Sequence, residues 1–215
     1  MLPTVKYNIA IRFITPVLGS VSLNKDLYGE FIGSKVETDT SDELEAVPEV
    51  GKGITGFLRV NDSPVFADYV VKGFCKAAGS ALRKVPGTLS AQLRAHLKAV
   101  DTMVFVYPRF IPITEHGTIE WLDRPLRCWT MQGERVALAR SEMIPEGARM
   151  AFEVVTLGTL VTEELLAEWF AYGIYSGLGQ WRGAGYGRFQ VEDLAKVLKS
   201  GAYMGRVRRG EGTVP

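Results

Sequence analysis

The stretch Gly177–Phe189, GLGQWRGAGYGRF, constrains this chain more than any other. Five glycines are interleaved there with two arginines, a tryptophan and a tyrosine. Glycine is cheap wherever φ must be positive or a backbone must approach something closely, so the stretch reads as a loop. A helix-like segment, Thr162–Ser176, leads into it and a strand-like segment, Tyr186–Val191, leads out. A glycine-dense loop can turn its N–H groups toward an anion. Arg182 and Arg188 can add charge-assisted bonds to phosphate, and Trp181 and Tyr186 offer faces on which bases can stack. The plainer alternative is a tight helix-to-strand connection in which the glycines only relieve crowding. The phosphate-loop pattern fails because no Lys-Ser/Thr pair closes it, and the dinucleotide pattern fits poorly because the loop follows a helix rather than a first strand.

Any nucleic-acid footprint has to be local, because the 215 residues carry a formal charge of only +1. A hydrophobic content of 47% is ordinary for a globular chain, and the length suits one domain. Cys75 and Cys128 are too few for a disulfide scaffold or a zinc cluster, and Cys75 reads as a small buried hydrophobe. No charged-then-apolar leader and no membrane-length apolar run is seen, so the expectation is a cytoplasmic protein without membrane contact.

In chain order, Val5–Ile14 alternates as a half-buried strand, with Val5, Tyr7, Ile9, Ile11 and Phe13 on one side. Thr15-Pro16 ends it. Residues 23–52 lose periodicity and gather acidic side chains, which reads as an exposed insertion. Ile54–Val60 predicts a short strand, Asn61-Asp62-Ser63-Pro64 a turn or helix start, and Phe66–Lys84 a helix with Lys72, Lys76, Arg83 and Lys84 mostly off its apolar stripe. A second helix is predicted from Thr88 or Ser90 through Val100, with Arg94 and Lys98 sharing a face and His96 as a surface or capping residue. Thr102–Tyr107 reads as a strand, Glu115-His116-Gly117 as a turn, and Thr118–Trp129 as extended structure or a hairpin. Val136–Ile144 and Met150–Leu157, separated by Pro145-Glu146-Gly147, read as a hairpin pair. Thr162 caps the last long helix, with Glu163 and Glu164 in its first turn. Asp193–Ser200 is predicted as a short helix, and a basic, frayed tail follows.

Three stretches together carry a family resemblance. Helix, then G-L-G-x-x-R-x-x-G-x-G-x-Phe, then strand resembles the glycine-rich loop of the RAMP superfamily, the RNA-binding proteins of CRISPR effector complexes. Ile11–Ser20, IRFITPVLGS, resembles that family's first strand, ending in a Thr-Pro and a glycine. Val71–Lys84, VKGFCKAAGSALRK, resembles the first helix of its backbone-forming subunits. The matches lie in the family's order. They imply an α+β, ferredoxin-like βαββαβ domain with insertions after the first strand and between the middle strands. On that reading residues 1–215 form one domain, with an acidic insertion at 23–52, a hairpin-like insertion at 111–145 and a basic flexible tail at 201–215.

The resemblance implies a non-catalytic, single-stranded RNA-binding subunit or relative of these complexes. Its partners would be guide-like RNA, further copies of itself or other effector subunits. The implied contacts are Lys72, Lys76, Arg83 and Lys84 on the first helix, and Gly179, Trp181, Arg182, Gly183, Gly185 and Arg188 in the loop, with Gly187 beside them. Family members that cut guide precursors use a histidine near the first helix, and that region holds none. Others use an aspartate in the loop after the first strand, where Asp26 and Asp39 fall. The expectation is therefore no catalytic residue, metal or cofactor. Two alternatives stay open: an endoribonuclease using Asp26 or His96, and a protein-interaction module, such as an assembly inhibitor, that binds no RNA.

Overall fold

The computed structural model describes residues 2–23, 54–130 and 133–197, the side chains of 126–138 excepted. The acidic stretch beyond Leu23, including Asp26 and Asp39, and the basic tail lie outside the described residues, as does the side chain of Cys128.

The architecture is mixed α+β, with largely antiparallel sheets and few helices. The alternating residues of β1 (Thr4–Phe13) place Tyr7, Ile9, Ile11 and Phe13 in the core, as period-2 patterning requires. β1 is flanked on one side by β12 (Phe189–Val197) and on the other by β11 (Arg149–Leu157), both antiparallel. β11 then pairs with β7 (Val104–Tyr107) along one part of its length and with β8 (Phe110–Thr114) along another. The sheet continues through β6 (Ser63–Ala67) to β5 (Leu58–Val60), seven strands in all among the described residues. β5 and β6 form a tight hairpin whose central residues, Asn61 and Asp62, both have positive φ, the requirement of its turn type.

The helices α1 (Asp68–Leu82) and α4 (Glu163–Ala171) bury Val71, Phe74, Cys75 and Ala78, and Leu165, Leu166, Trp169 and Phe170, respectively. Their aromatic side chains meet Phe189, the first residue of β12: Phe74 lies 5.0 Å and Phe170 6.4 Å from it, ring centre to ring centre. Burying each such ring is worth about 1.5–3 kcal/mol, so the C-terminal end of the glycine-rich stretch is fixed by the core. Thr162 caps α4 as expected, its Oγ1 accepting from the Leu165 N–H. Burial pushes the Cys75 thiol up to about 12, in keeping with an inert core residue.

A second sheet has five strands among the described residues. It contains β2 (Val17–Leu18), β3 (Val21–Ser22), β4 (Ile54–Gly56), and the long hairpin of β9 (Glu120–Thr130) and β10 (Gly133–Ile144).

Several sequence expectations are corrected. Val136–Ile144 and Met150–Leu157 are not a hairpin: β10 pairs with β9, β2 and β4, while β11 belongs to the other sheet. Alternation fixes which face of a strand is buried, not which strand it meets. Asp193–Val197 is strand rather than helix, because the backbone of β12 stays hydrogen-bonded to β1 as far as the pair Lys6 and Val197. Ile54–Val60 is broken at Phe57 into β4 and β5, which serve different sheets. Phe66 lies in β6, ahead of α1. The helix expected through Val100 divides into α2 (Leu89–Gln92) and α3 (His96–Met103) around Ala95, whose φ is +50°. Arg94 is therefore outside any helix and does not share a helical face with Lys98.

Candidate nucleic-acid interface

The glycine-rich stretch has a base and a tip with different environments. At the base, Gly177 and Gly187 cross backbone to backbone. A Cβ on Gly177 would sit 2.0 Å from the Gly187 carbonyl carbon, and one on Gly187 would sit 1.9 Å from the Leu178 oxygen. Only glycine permits that approach. Gly179, φ +82°, presses on the Leu18 oxygen. The Thr-Pro that ends β1 holds the other side. Thr15 Oγ1 donates to the Gly185 oxygen at 2.9 Å and accepts from the Arg188 N–H at 2.9 Å, and the Pro16 oxygen accepts from the Gly187 N–H at 2.8 Å. Leu178, Gln180, Ala184 and Gly185 also donate their N–H groups to carbonyl oxygens of the protein. Much of the stretch's donor capacity is thus spent on holding its own shape.

The tip, residues 181–184, is exposed. A Cβ on Gly183 would meet nothing within 4 Å, and the Arg188 guanidinium lies over Gly185, its Cζ 3.6 Å from the position of a Cβ there. Trp181 has a left-handed backbone, φ +57°, and is 43% exposed as a residue. That exposure removes the possibility that it is a core residue; among the described residues the buried tryptophan is Trp169. Tyr186 stacks on the Trp181 ring at 5.3 Å with planes 12° apart.

A residue missed in the sequence joins this stack. The Arg124 guanidinium, on β9, lies 4.7 Å over the Trp181 ring. Arg124 is only 4% exposed. Its Nη2 donates to Gln180 Oε1 at 2.8 Å and Ser141 Oγ at 3.2 Å, and Thr55 and Ser141 hydroxyls also reach Gln180 Oε1. Its Nε and Nη1 are buried and have no protein partner, and the same is true of Arg188 Nε. Burial pulls the Arg124 guanidinium below its usual range, while the nearby Tyr186 phenol acts in the opposite sense. It remains cationic, as guanidinium groups in proteins do. Nothing in the DRPLR context singles Arg124 out, since charged residues are rarely fully buried. Gln180, inside the glycine-rich stretch, was the nearer clue.

The α1 cations have a different setting. Lys72 Nζ donates to the Asp101 backbone oxygen at 2.9 Å and lies 5.3 Å from the centre of the Phe105 ring. Lys76 forms an ion pair with the Asp101 carboxylate. Both tie α1 to α3. Arg83 and Lys84 are exposed beyond the C-terminal end of α1. Gly179 packs near Phe66, just before α1 begins. A helix of 15 residues rises about 22 Å, so the backbones of Arg83 and Lys84 stand about a helix length from that contact.

His96 is not a surface residue. It is 7% exposed, with Nε2 2.8 Å from Ser80 Oγ and a buried Nδ1 without a protein partner. Burial, and the Arg83 charge second, lower its pKa and favour the neutral ring. Among the described residues no group of three or more His, Cys, Asp or Glu side chains is placed to hold a metal ion. No described helix is long and apolar enough to cross a membrane.

No protein-family model matches the sequence, and no curated protein does. A solved structure resembles the fold: a chain in "Cryo-EM structure of the Type III-B Cmr-beta bound to cognate target RNA" superposes with a TM-score of 0.52 at 14% identity. The match covers 90% of this chain but 61% of the other, so this chain spans about three-fifths of its neighbour's length. The likeness is one of fold.

Proposed function

We propose that this chain binds single-stranded RNA through the tip of its glycine-rich stretch, as a RAMP-like, non-catalytic subunit or relative of CRISPR effector complexes. The fold likeness to a chain of an RNA-bound Cmr-beta complex supports the class. The strand path β12-β1-β11-β7, with α1 ahead of β7 and α4 ahead of β12, supports reading the main sheet as a ferredoxin-like core.

One observation carries the proposal. Arg124 lies 4.7 Å over the Trp181 ring that stacks on Tyr186, Arg182 and Arg188 adjoin those rings in the chain, and among the described residues none of the three arginines is paired with a carboxylate. Other arginines of the fold do have such partners, as in Arg59 with Glu142, Arg140 with Asp123, and Arg149 with Glu115 and Glu192. Unneutralised guanidinium groups beside stackable rings are what a phosphodiester strand requires. On this reading the contacts are Trp181, Arg182 and Arg188, with Gly183 and Gly185 leaving room for the backbone of the strand. Gly179 shapes the base, and Lys72 and Lys76 of α1 are engaged by Asp101 instead.

The test is binding of a labelled single-stranded RNA across a salt series, together with sequencing of any nucleic acid that co-purifies. Affinity that falls with salt and is largely independent of sequence is the expected result. Absence of binding at low salt, with a protein partner recovered in pull-downs, would favour the interaction-module alternative. The pairing of Lys76 with Asp101 and the net charge of +1 are the observations on that side.

A further inference from the structure

Two unfavourable features coincide at the tip of the glycine-rich stretch. Arg124 buries two guanidinium donors, Nε and Nη1, that no protein acceptor satisfies, and an unmade bond to a buried donor forfeits its desolvation cost. Trp181, whose indole covers the guanidinium at 4.7 Å, holds a left-handed backbone that a side chain of its size rarely adopts. Yet Trp181 sits on an exposed segment with open space beside Gly183, so the indole has somewhere to go. Behind Arg124 the arrangement is rigid: Nη2 is fixed by Gln180 and Ser141, and Gln180 is held in turn through its N–H to the Leu18 oxygen. A firmly held cation, with donors unused, lies beneath a cover attached to an exposed turn.

We infer that Arg124 is a phosphate-binding group capped by the Trp181 indole, and that a phosphodiester of single-stranded RNA reaches its free donors by displacing that indole. This rests on the RNA-binding reading above and deepens it: the principal phosphate ligand comes from β9 rather than from the glycine-rich stretch. Arg188, whose guanidinium lies over Gly185 and whose Nε is likewise unused, is a second donor at the stretch. Entry of the anion satisfies the buried donors, and release of the indole relaxes the backbone at Trp181. The freed ring is then available to a base.

The experiment follows tryptophan fluorescence during titration with a short oligouridylate and, separately, with inorganic pyrophosphate, which cannot stack. The Trp181 component is the signal missing from Trp181→Phe. Both probes should change that signal in the native protein. Arg124→Gln, checked for folding by its melt, should abolish the pyrophosphate response. It should also weaken oligouridylate about fivefold at 0.1 M salt, with the slope of log affinity against log salt reduced by about 0.7. Trp181→Gly keeps Arg124 and suits the positive φ, so it should bind pyrophosphate several-fold more tightly than the native protein. A folded Arg124→Gln protein that binds both probes as the native protein does would overturn the inference and leave the RNA reading standing. If Arg124→Gln does not fold, unchanged pyrophosphate affinity in Trp181→Gly overturns it instead. A pyrophosphate response that depends on Arg124, in a protein that ignores oligouridylate, would keep the phosphate site and sink the RNA reading.

Discussion

The cations of α1 and those around the glycine-rich stretch look alike in the sequence and differ in the fold. Lys72 and Lys76 are drawn onto Asp101, where they hold two helices together. Arg124, Arg182 and Arg188 have no carboxylate partner among the described residues, and two of them bury unused donors. The difference teaches that a basic residue counts toward an interface only after its intramolecular partners are subtracted. Helical spacing placed the α1 lysines on an outer face, but it could not see Asp101 arriving from α3.

The sharpest way to break this comparison is to dismantle the stretch from its base. Gly177→Ala would force a Cβ to 2.0 Å from the backbone of Gly187. The expected loss is on the order of 3 kcal/mol or more, visible as a large drop in melting temperature. Gly183→Ala, at the open tip, should change stability by no more than about 0.5 kcal/mol. Equal effects from the two substitutions would refute the division into base and tip.

Next in size is Arg182→Ala. It should weaken single-stranded RNA binding about fivefold at 0.1 M salt, lower the salt slope by about 0.7, and leave the melt unchanged. Lys76→Ala should behave in the opposite way. Its ion pair with Asp101 is partly exposed, so roughly 0.5 kcal/mol of stability is expected to go, with the salt slope unaltered. If Lys76→Ala alters the slope as much as Arg182→Ala does, the α1 cations belong to the RNA contact and the contrast fails.

The smallest effect concerns pH. Folding holds the His96 ring neutral, so its folded pKa lies below the unfolded value near 6.5. The unfolded chain then binds more protons, and stability from this site is complete above about 6.5 and declines as pH falls through that value. The melting temperature of His96→Gln should therefore fall less between pH 7 and pH 5 than that of the native protein. Parallel curves would mean that His96 is not held neutral by folding.

Much of the core was legible in the sequence, for a physical reason. β1 alternates cleanly because one of its faces is buried, and Thr162 with Glu163 and Glu164 marks the start of α4 because helix N-termini need acceptors. The exposed tip was also legible, since Trp181 and Arg182 fall among glycines. Two things were not. The partner of a strand is set by contacts distant in sequence, so Val136–Ile144 was joined to the nearer Met150–Leu157 rather than to β9. The burial of Arg124 depends on Gln180, Ser141 and Thr55 converging from three separate elements, and no local pattern records that.

The hydroxyl of Thr15 bonds to both Gly185 and Arg188, which lie 170 and 173 residues further along. During synthesis at roughly 5–20 residues per second, the end of β1 therefore waits on the order of ten to thirty seconds for its clasp to be made. Until then the nascent chain has the residues of β1 but neither both of the strands that flank it nor the closed turn. The turn and the arginines beside it reach their final arrangement only once almost the whole described chain has left the ribosome. Premature termination before residue 188 would leave Thr15 without the Arg188 half of its clasp.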